Sequence, residues 1–171
     1  MNECKQKTIT DDAFGPWTNI QSLAMRRCNQ TAITSDAFRN LTNLYSLDVS
    51  WCSQSAITKD AFQHLRNLKS LKMESCRQTE ITSEAFRHLR KLETLNMGDC
   101  KVTTMTDDAF RHLTNLRSLN MISCHQTTIT TYAFQHLTNL QYLGMIKRRK
   151  ASNEFVCFGN EPLLPDYNIW E

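Results

Sequence analysis

The chain has 171 residues, 40% hydrophobic and 22% charged, with a formal net charge of +3 at pH 7. That length suits one domain with a real core, and a charge so mild does not by itself argue for nucleic acid or a membrane surface. No apolar run is long enough for a membrane-spanning helix, and Met1 to Lys7 lack the apolar stretch of a secretory signal.

Internal repetition dominates the sequence. Cys4, Cys28, Cys52, Cys76, Cys100 and Cys124 recur at intervals of 24 residues. Five residues after each stands Ile9, Ile33, Ile57, Ile81, Met105 or Ile129, always followed by threonine, and then by an Ala-Phe pair such as Ala37-Phe38. Leucines follow at three-residue intervals, as in Leu41, Leu44 and Leu47. So short a unit cannot bury its own apolar face, but stacked units share one continuous core.

In chain order, residues 4–16 supply half a unit with no strand before it, and Trp17 is expected to plug the first layer. Each full unit then opens on a short strand. Leu47 and Val49 alternate with Ser46, Asp48 and Ser50, the period of a strand with one buried face. Six strands are expected near 21–26, 45–50, 69–74, 93–98, 117–122 and 141–146, side by side in a parallel sheet. A helix of one and a half to two turns is expected after each cysteine, starting at Thr34 in the second unit. Asp12, Asp36, Asp60, Glu84 and Asp108 lie in its first turn, where the helix dipole favours negative charge. After Met145 the pattern decays, although Phe158 and Leu164 stay in phase with Phe134 and Leu140. Residues 147–171 read as a degenerate seventh unit that caps the stack, anchored by Trp170. The strand at 21–26 is left as an open edge, and edges invite pairing, so a homodimer through it is one way to cover it.

The spacing LxxLxLxxC, carried by Leu44, Leu47, Val49 and Cys52, resembles the leucine-rich-repeat family over roughly residues 4–146. Ile57, Thr58 and Phe62 resemble the segment that closes its 24-residue variety. Cysteine stands where asparagine is usual, threonine where proline is, and glutamine (Val102 in one unit) where leucine is. The resemblance implies an α/β fold, a right-handed leucine-rich-repeat solenoid. As a horseshoe segment, it would have a parallel sheet on the concave face and short helices on the convex face. It also implies a single domain over 1–171 that acts by binding protein on the concave sheet.

Comparing the units with one another separates scaffold from freedom: core positions barely change, whereas those expected on the concave side vary. Arg26, Arg27, Tyr45, Asp48, Trp51, Lys69, Lys72, Glu74, Glu93, Asn96, Asp99, Arg117 and Asn120 are the expected partner-binding residues. Trp51 and Tyr45 are the natural anchors, because aromatic and arginine side chains supply most hot-spot energy. Between them the column Ser22, Ser46, Ser70, Thr94, Ser118 stays small until Tyr142 breaks it.

Other columns have a chemical and a plain reading. Stacked thiols present themselves in parallel and do not converge, which suits neither a metal nor a disulfide. They are expected to be buried and bonded weakly to carbonyls, in a reducing compartment, the cytoplasm, with the nucleus left open. His64, His88, His112 and His136, flanked by Arg39, Arg87 and Arg111, are either an anion-binding or pH-sensitive stripe or a solvated face copied by duplication. Lys147 to Lys150 form a basic run without interleaved aromatics, which argues against nucleic acid. No phosphate loop, HExxH or GxSxG is present, and Cys157 fits a core position. The expected protein is thus a non-enzymatic protein-binding scaffold without cofactor, metal, small-molecule substrate or membrane. The alternatives are the substrate-recognition part of a ubiquitin-ligase assembly, a host-directed effector, and a self-assembling structural component.

Overall fold

The computed structural model of the chain describes residues 13–28, 36–52, 60–77, 80–124, 131–149 and 152–159. In chain order its strands are β1 (Ser22–Ala24), β2 (Ser46–Asp48), β3 (Ser70–Lys72), β4 (Glu80–Ile81) and β5 (Thr94–Asn96). They continue with β6 (Thr104–Met105), β7 (Ser118–Asn120), β8 (Tyr142–Arg149) and β9 (Ser152–Gly159). The strands β1, β2, β3, β5, β7 and β8 lie side by side and parallel. Register follows the repeat, with Leu23 opposite Leu47, Leu47 opposite Leu71, and so on to Leu143. A slip of one residue would turn this leucine column to solvent, so burial itself fixes the register.

The core is a stack of repeated layers. In the layer of the third strand, Leu65, Leu68, Leu71 and Met73 fill the space between the walls, all buried. On the outer wall phenylalanine rings pile on one another, Phe86 on Phe110 at 6.2 Å and Phe110 on Phe134 at 6.0 Å, near parallel. A second, two-stranded parallel sheet joins β4 to β6.

The outer wall departs from expectation. Among the described residues it contains turns and two 3-10 helices, Ser83–Phe86 and Thr131–Phe134, and no α-helix. Its hydrogen bonds join residues three apart: Leu41 N–H to Phe38 carbonyl, then Leu44 N–H to Leu41 carbonyl. The cause is the spacing of the buried side chains. Phe38, Leu41 and Leu44 are fully buried at intervals of three, which a three-residue turn eclipses on one side and an α-helix would rotate apart. Thr82 occupies the N-cap position, but its side chain makes no capping bond, and Thr34 lies outside the described residues.

The two ends also differ from expectation. β9 pairs antiparallel with β8, Leu143 opposite Phe158 and Arg149 opposite Ser152. Residues 147–149 and 152–159 therefore do not repeat the unit, and Phe158 sits in a strand opposite Leu143 rather than in a 3-10 helix as Phe134 does. A hairpin adds a strand to the sheet edge directly, where a further unit would need a crossover. Trp170 lies outside the described residues. Trp17 does not plug a layer: it is 39% exposed and leans on Phe14, whose own ring fills the core.

Candidate functional site

Both edges of the sheet carry a ladder of side-chain donors. At the strand exits, Cys52, Cys100 and Cys124 donate from Sγ to the carbonyls of Met25, Met73 and Met97 in the preceding unit, at 2.9, 3.0 and 2.9 Å. Cys76 reaches the Val49 carbonyl at 3.6 Å. The five described column cysteines are free thiols, in agreement with the spacing. Burial pushes the Cys52 thiol up to about 11. For Cys100 the Cys124 hydrogen bond pulls downward, yet Cys76 and burial together carry it to about 12. Neither forms a thiolate near neutral pH, so neither is a nucleophile or ready metal ligand.

At the strand entries stands a second ladder, which the reading of the sequence did not anticipate. Asn43, Asn67, Asn115 and Asn139 donate from Nδ2 to the carbonyls of Thr18, Thr42, Arg90 and Thr114, one unit back. Their spacing of 24 residues is the signal that could have found them.

The exposed face of the sheet gathers the expected partner-binding residues, and many are already occupied with each other. Arg26 Nε donates to Asp48 Oδ2 at 2.6 Å, and Ser50 N–H to Asp48 Oδ1 at 3.0 Å. The Glu74 N–H reaches Ser50 Oγ, Asn96 Nδ2 reaches Glu74 Oε1, and Gly98 N–H reaches Asn96 Oδ1. Asn120 repeats the motif on the Ile122 N–H. Burial alone would raise the Asp48 carboxyl, but the bonds from Ser50 and Arg26 hold it below the usual carboxylate value. Lys69 pairs with Glu93 at 2.9 Å, a contact too exposed to contribute much stability. Tyr142 fits where other units have serine because Gly144 lacks a Cβ: its hydroxyl lies 2.8 Å from where one would stand.

Just past β1, β2, β3, β5 and β7 one residue turns the chain off the sheet. Arg27, Trp51, Ser75, Asp99 and Ser123 all have positive φ, from 54 to 64°, although none is glycine. The N–H groups of Arg27, Trp51, Ser75 and Asp99 still bond along the ladder, Trp51 to the Glu74 carbonyl at 2.7 Å, for example. The left-handed turn costs about 1–2 kcal/mol per residue, which the continued backbone pairing and the buried cysteine next door offset. Trp51 stands 53% exposed and Tyr45 44%. The Arg27 guanidinium lies 6.0 Å from the Trp51 ring centroid, at the limit of a cation–π contact. Of the expected residues, Arg26, Arg27, Tyr45, Trp51, Lys69, Lys72, Asp99 and Arg117 are exposed, and Arg26 and Lys69 among them are held in ion pairs.

The outer wall is tied by charge from unit to unit. Arg87 binds Asp60 at 2.7 Å and Glu84 at 3.2 Å, and Arg111 binds Glu84 and Asp108, both at 3.2 Å. Asp60, Glu84 and Asp108, expected to serve a helix dipole, instead hold guanidiniums of their own or the next unit, and Asp36 holds Gln63 and His64. Arg87 Nε donates to His88 Nε2 at 2.7 Å and Arg111 Nε to His112 Nε2 at 3.0 Å, which requires neutral imidazoles. Burial first, then the flanking guanidiniums, hold His88 and His112 below the ordinary imidazole value.

Parallel short strands in strict 24-residue register, with a donor ladder along each edge, define a leucine-rich-repeat solenoid. The chain belongs to that family: the BspA type leucine rich repeat region matches it in six copies over residues 7–141. No curated protein sequence matches the chain. Among solved structures it resembles TLR13 from a complex with ssRNA13, at a TM-score of 0.78 and 27% identity over 82% of this chain. It also resembles the fold in the Drosophila Toll–Spatzle complex, at a TM-score of 0.72 and 19% identity over 85% of this chain. The chain spans 20% and 19% of the lengths of those two.

Proposed function

We propose that the protein is a non-enzymatic binding scaffold that engages a protein partner on the exposed face of its parallel sheet, the concave face of the family. The observation that carries this reading is the contrast between core and face. Leucine, phenylalanine and cysteine repeat in every described layer, whereas the neighbouring exposed positions carry Trp51, Tyr45, Arg27, Lys72, Asp99 and Arg117. Two large aromatics left half-open beside arginines have the composition of an interface centre. The ordered chain from Arg26 to Gly98 would hold that face rigid, which lowers the entropy lost on binding. The two similar structures come from complexes, of TLR13 with ssRNA13 and of Toll with Spatzle, so repeats of this kind present surfaces to macromolecules. Five free, mostly buried thiols support a reducing compartment as the place of work.

Affinity purification with wild-type chain and a Trp51→Ala, Tyr45→Ala double variant tests the face. A direct partner should bind about 2 kcal/mol more weakly to Trp51→Ala alone, with an unchanged melting temperature. A partner held equally by the double variant would move the site off the sheet.

A further inference from the structure

The asparagine ladder is broken once among the described residues, and the break coincides with a cluster of cations on the outer wall. Across the six units the position before the ladder reads Thr18, Thr42, Arg66, Arg90, Thr114 and Thr138. The ladder position itself reads Asn19, Asn43, Asn67, Lys91, Asn115 and Asn139. Arg66, Arg90 and Lys91 thus depart together from what the fold uses elsewhere, in two neighbouring units. Lys91 gives up the amide bond to the preceding unit's backbone and donates to Asn67 Oδ1 at 2.8 Å. Arg66 and Arg90 are exposed and form no ion pair with any described residue.

All three line a single open cavity of about 600 Å³ on the outer wall, together with Arg87, Arg111, His88, His112 and Glu84. Five cations therefore face one carboxylate. Glu84 is already divided between Arg87 and Arg111, so nothing in the cavity neutralises the other three. Like charges gathered without counter-ions oppose folding, and threonine or asparagine at the same places would not. The imidazoles feel the field, since Arg66 acts on His88 and Arg90 on His112 to disfavour their protonation.

We propose that this cavity binds a compact polyphosphorylated small molecule, gripped by Arg66, Arg90 and Lys91. Guanidinium forks match phosphoryl oxygens in pairs, and a lysine adds a mobile point charge. Three unpaired cations exceed what one carboxylate or one sulfate would satisfy, which favours several phosphoryl groups on one molecule. The volume lies within the usual range for small-ligand sites, about 300–1,000 Å³. Its lining holds no phenylalanine, tyrosine or tryptophan on which a base could stack, so the geometry does not favour a single-stranded nucleic acid. This site is separate from the partner-binding face and does not depend on it.

Isothermal titration of the whole chain with tripolyphosphate, at fixed ionic strength, tests the proposal. The informative variant is Arg66→Thr, Arg90→Thr, Lys91→Asn, because each substitution installs the residue that neighbouring units already carry at that place. A thermal melt confirms that it folds. Loss of these charge-assisted contacts should weaken tripolyphosphate by about tenfold or more. Sulfate and orthophosphate should bind the wild type more weakly than tripolyphosphate does. An Arg77→Thr, Lys101→Thr variant, which removes cations outside the cavity, should retain full affinity. Equal binding by the wild type and the cavity variant would overturn the proposal, as would no heat from the wild type at millimolar ligand. An equal loss in the Arg77 and Lys101 variant would reduce the effect to net charge and overturn it too. A single-stranded RNA that binds more tightly than tripolyphosphate, and is lost with the cavity variant, would replace the small-molecule occupant.

Discussion

The two edges of the sheet solve one problem with different atoms. Each unit must satisfy backbone carbonyls that its neighbour leaves open, and a side-chain donor from the next unit does so at both edges. At the strand exits the donor is a thiol inside the core; at the entries it is an amide in contact with water. A thiol loses little when dehydrated and packs as a small apolar group, which suits the buried edge. An amide has two donors and an acceptor to satisfy, and water completes the set at the exposed edge. The lesson is that the choice of donor follows burial.

Both edges lean on the layered core, so the largest effect should come from removing a layer. Phe86→Ala, which empties the ring stack between the walls, should cost about 3–5 kcal/mol in urea unfolding. A loss below about 1 kcal/mol, the scale of a single surface contact, would mean the layers act independently. The contrast itself is tested next. Cys100→Ala leaves the Met73 carbonyl buried without its donor and should cost about 1–3 kcal/mol. The matching change at the wet edge, Asn115→Ala, lets water replace the amide and should cost less than about 1 kcal/mol. Equal losses would remove burial as the explanation. Between these in size lies Ser75→Gly, which relieves a left-handed residue and should raise stability by up to about 1 kcal/mol.

The smallest effect expected is on pH dependence, and it probes the outer wall. His88 and His112 are held below the ordinary imidazole value of 6.5 in the folded chain. The unfolded chain therefore takes up protons first as pH falls. Stability contributed by the neutral imidazoles is complete above that ordinary value and declines as pH drops toward the folded values. Unfolding at about pH 7.5 and about pH 5.5 should show this decline, and His88→Gln with His112→Gln should flatten it. An unchanged slope in the double variant would assign the acid limb to carboxylates alone.

Much of the fold was legible from spacing. The 24-residue interval placed all six parallel strands and their register, because one buried leucine per strand leaves a single way to align them. The thiol ladder was legible too, since parallel thiols in a core have little to do but donate to carbonyls. The helices were legible only in part, for a specific reason: two short ones lie where expected, and both are 3-10. Leucines three apart were visible in Leu41 and Leu44, but that period belongs to 3-10 turns, and a capping residue with an acid behind it suggested a helix of up to two turns instead. The hairpin of β8 and β9 was hidden because Phe158 and Leu164 kept the phase of the repeat while the strand reversed direction. On the exposed face of the sheet, sequence variation marked the changing positions but could not show that Asp48 is held by Arg26 and Ser50, or Glu74 by Asn96. Arg66, Arg90 and Lys91 were not legible as a cluster, because an arginine on a solvated column looks ordinary until the fold shows it without a counter-ion.

The left-handed residue at each strand exit sets the terms on which this surface could be diversified. A library built on Arg27, Trp51, Ser75, Asp99 and Ser123 would find charge, polarity and aromatic bulk all accepted, as the natural set already demonstrates. Valine, isoleucine, threonine and proline would drop out of such a library regardless of the target, because branching at Cβ or a closed ring forbids that backbone. The recognition alphabet at these places is therefore broad in chemistry and narrow in shape.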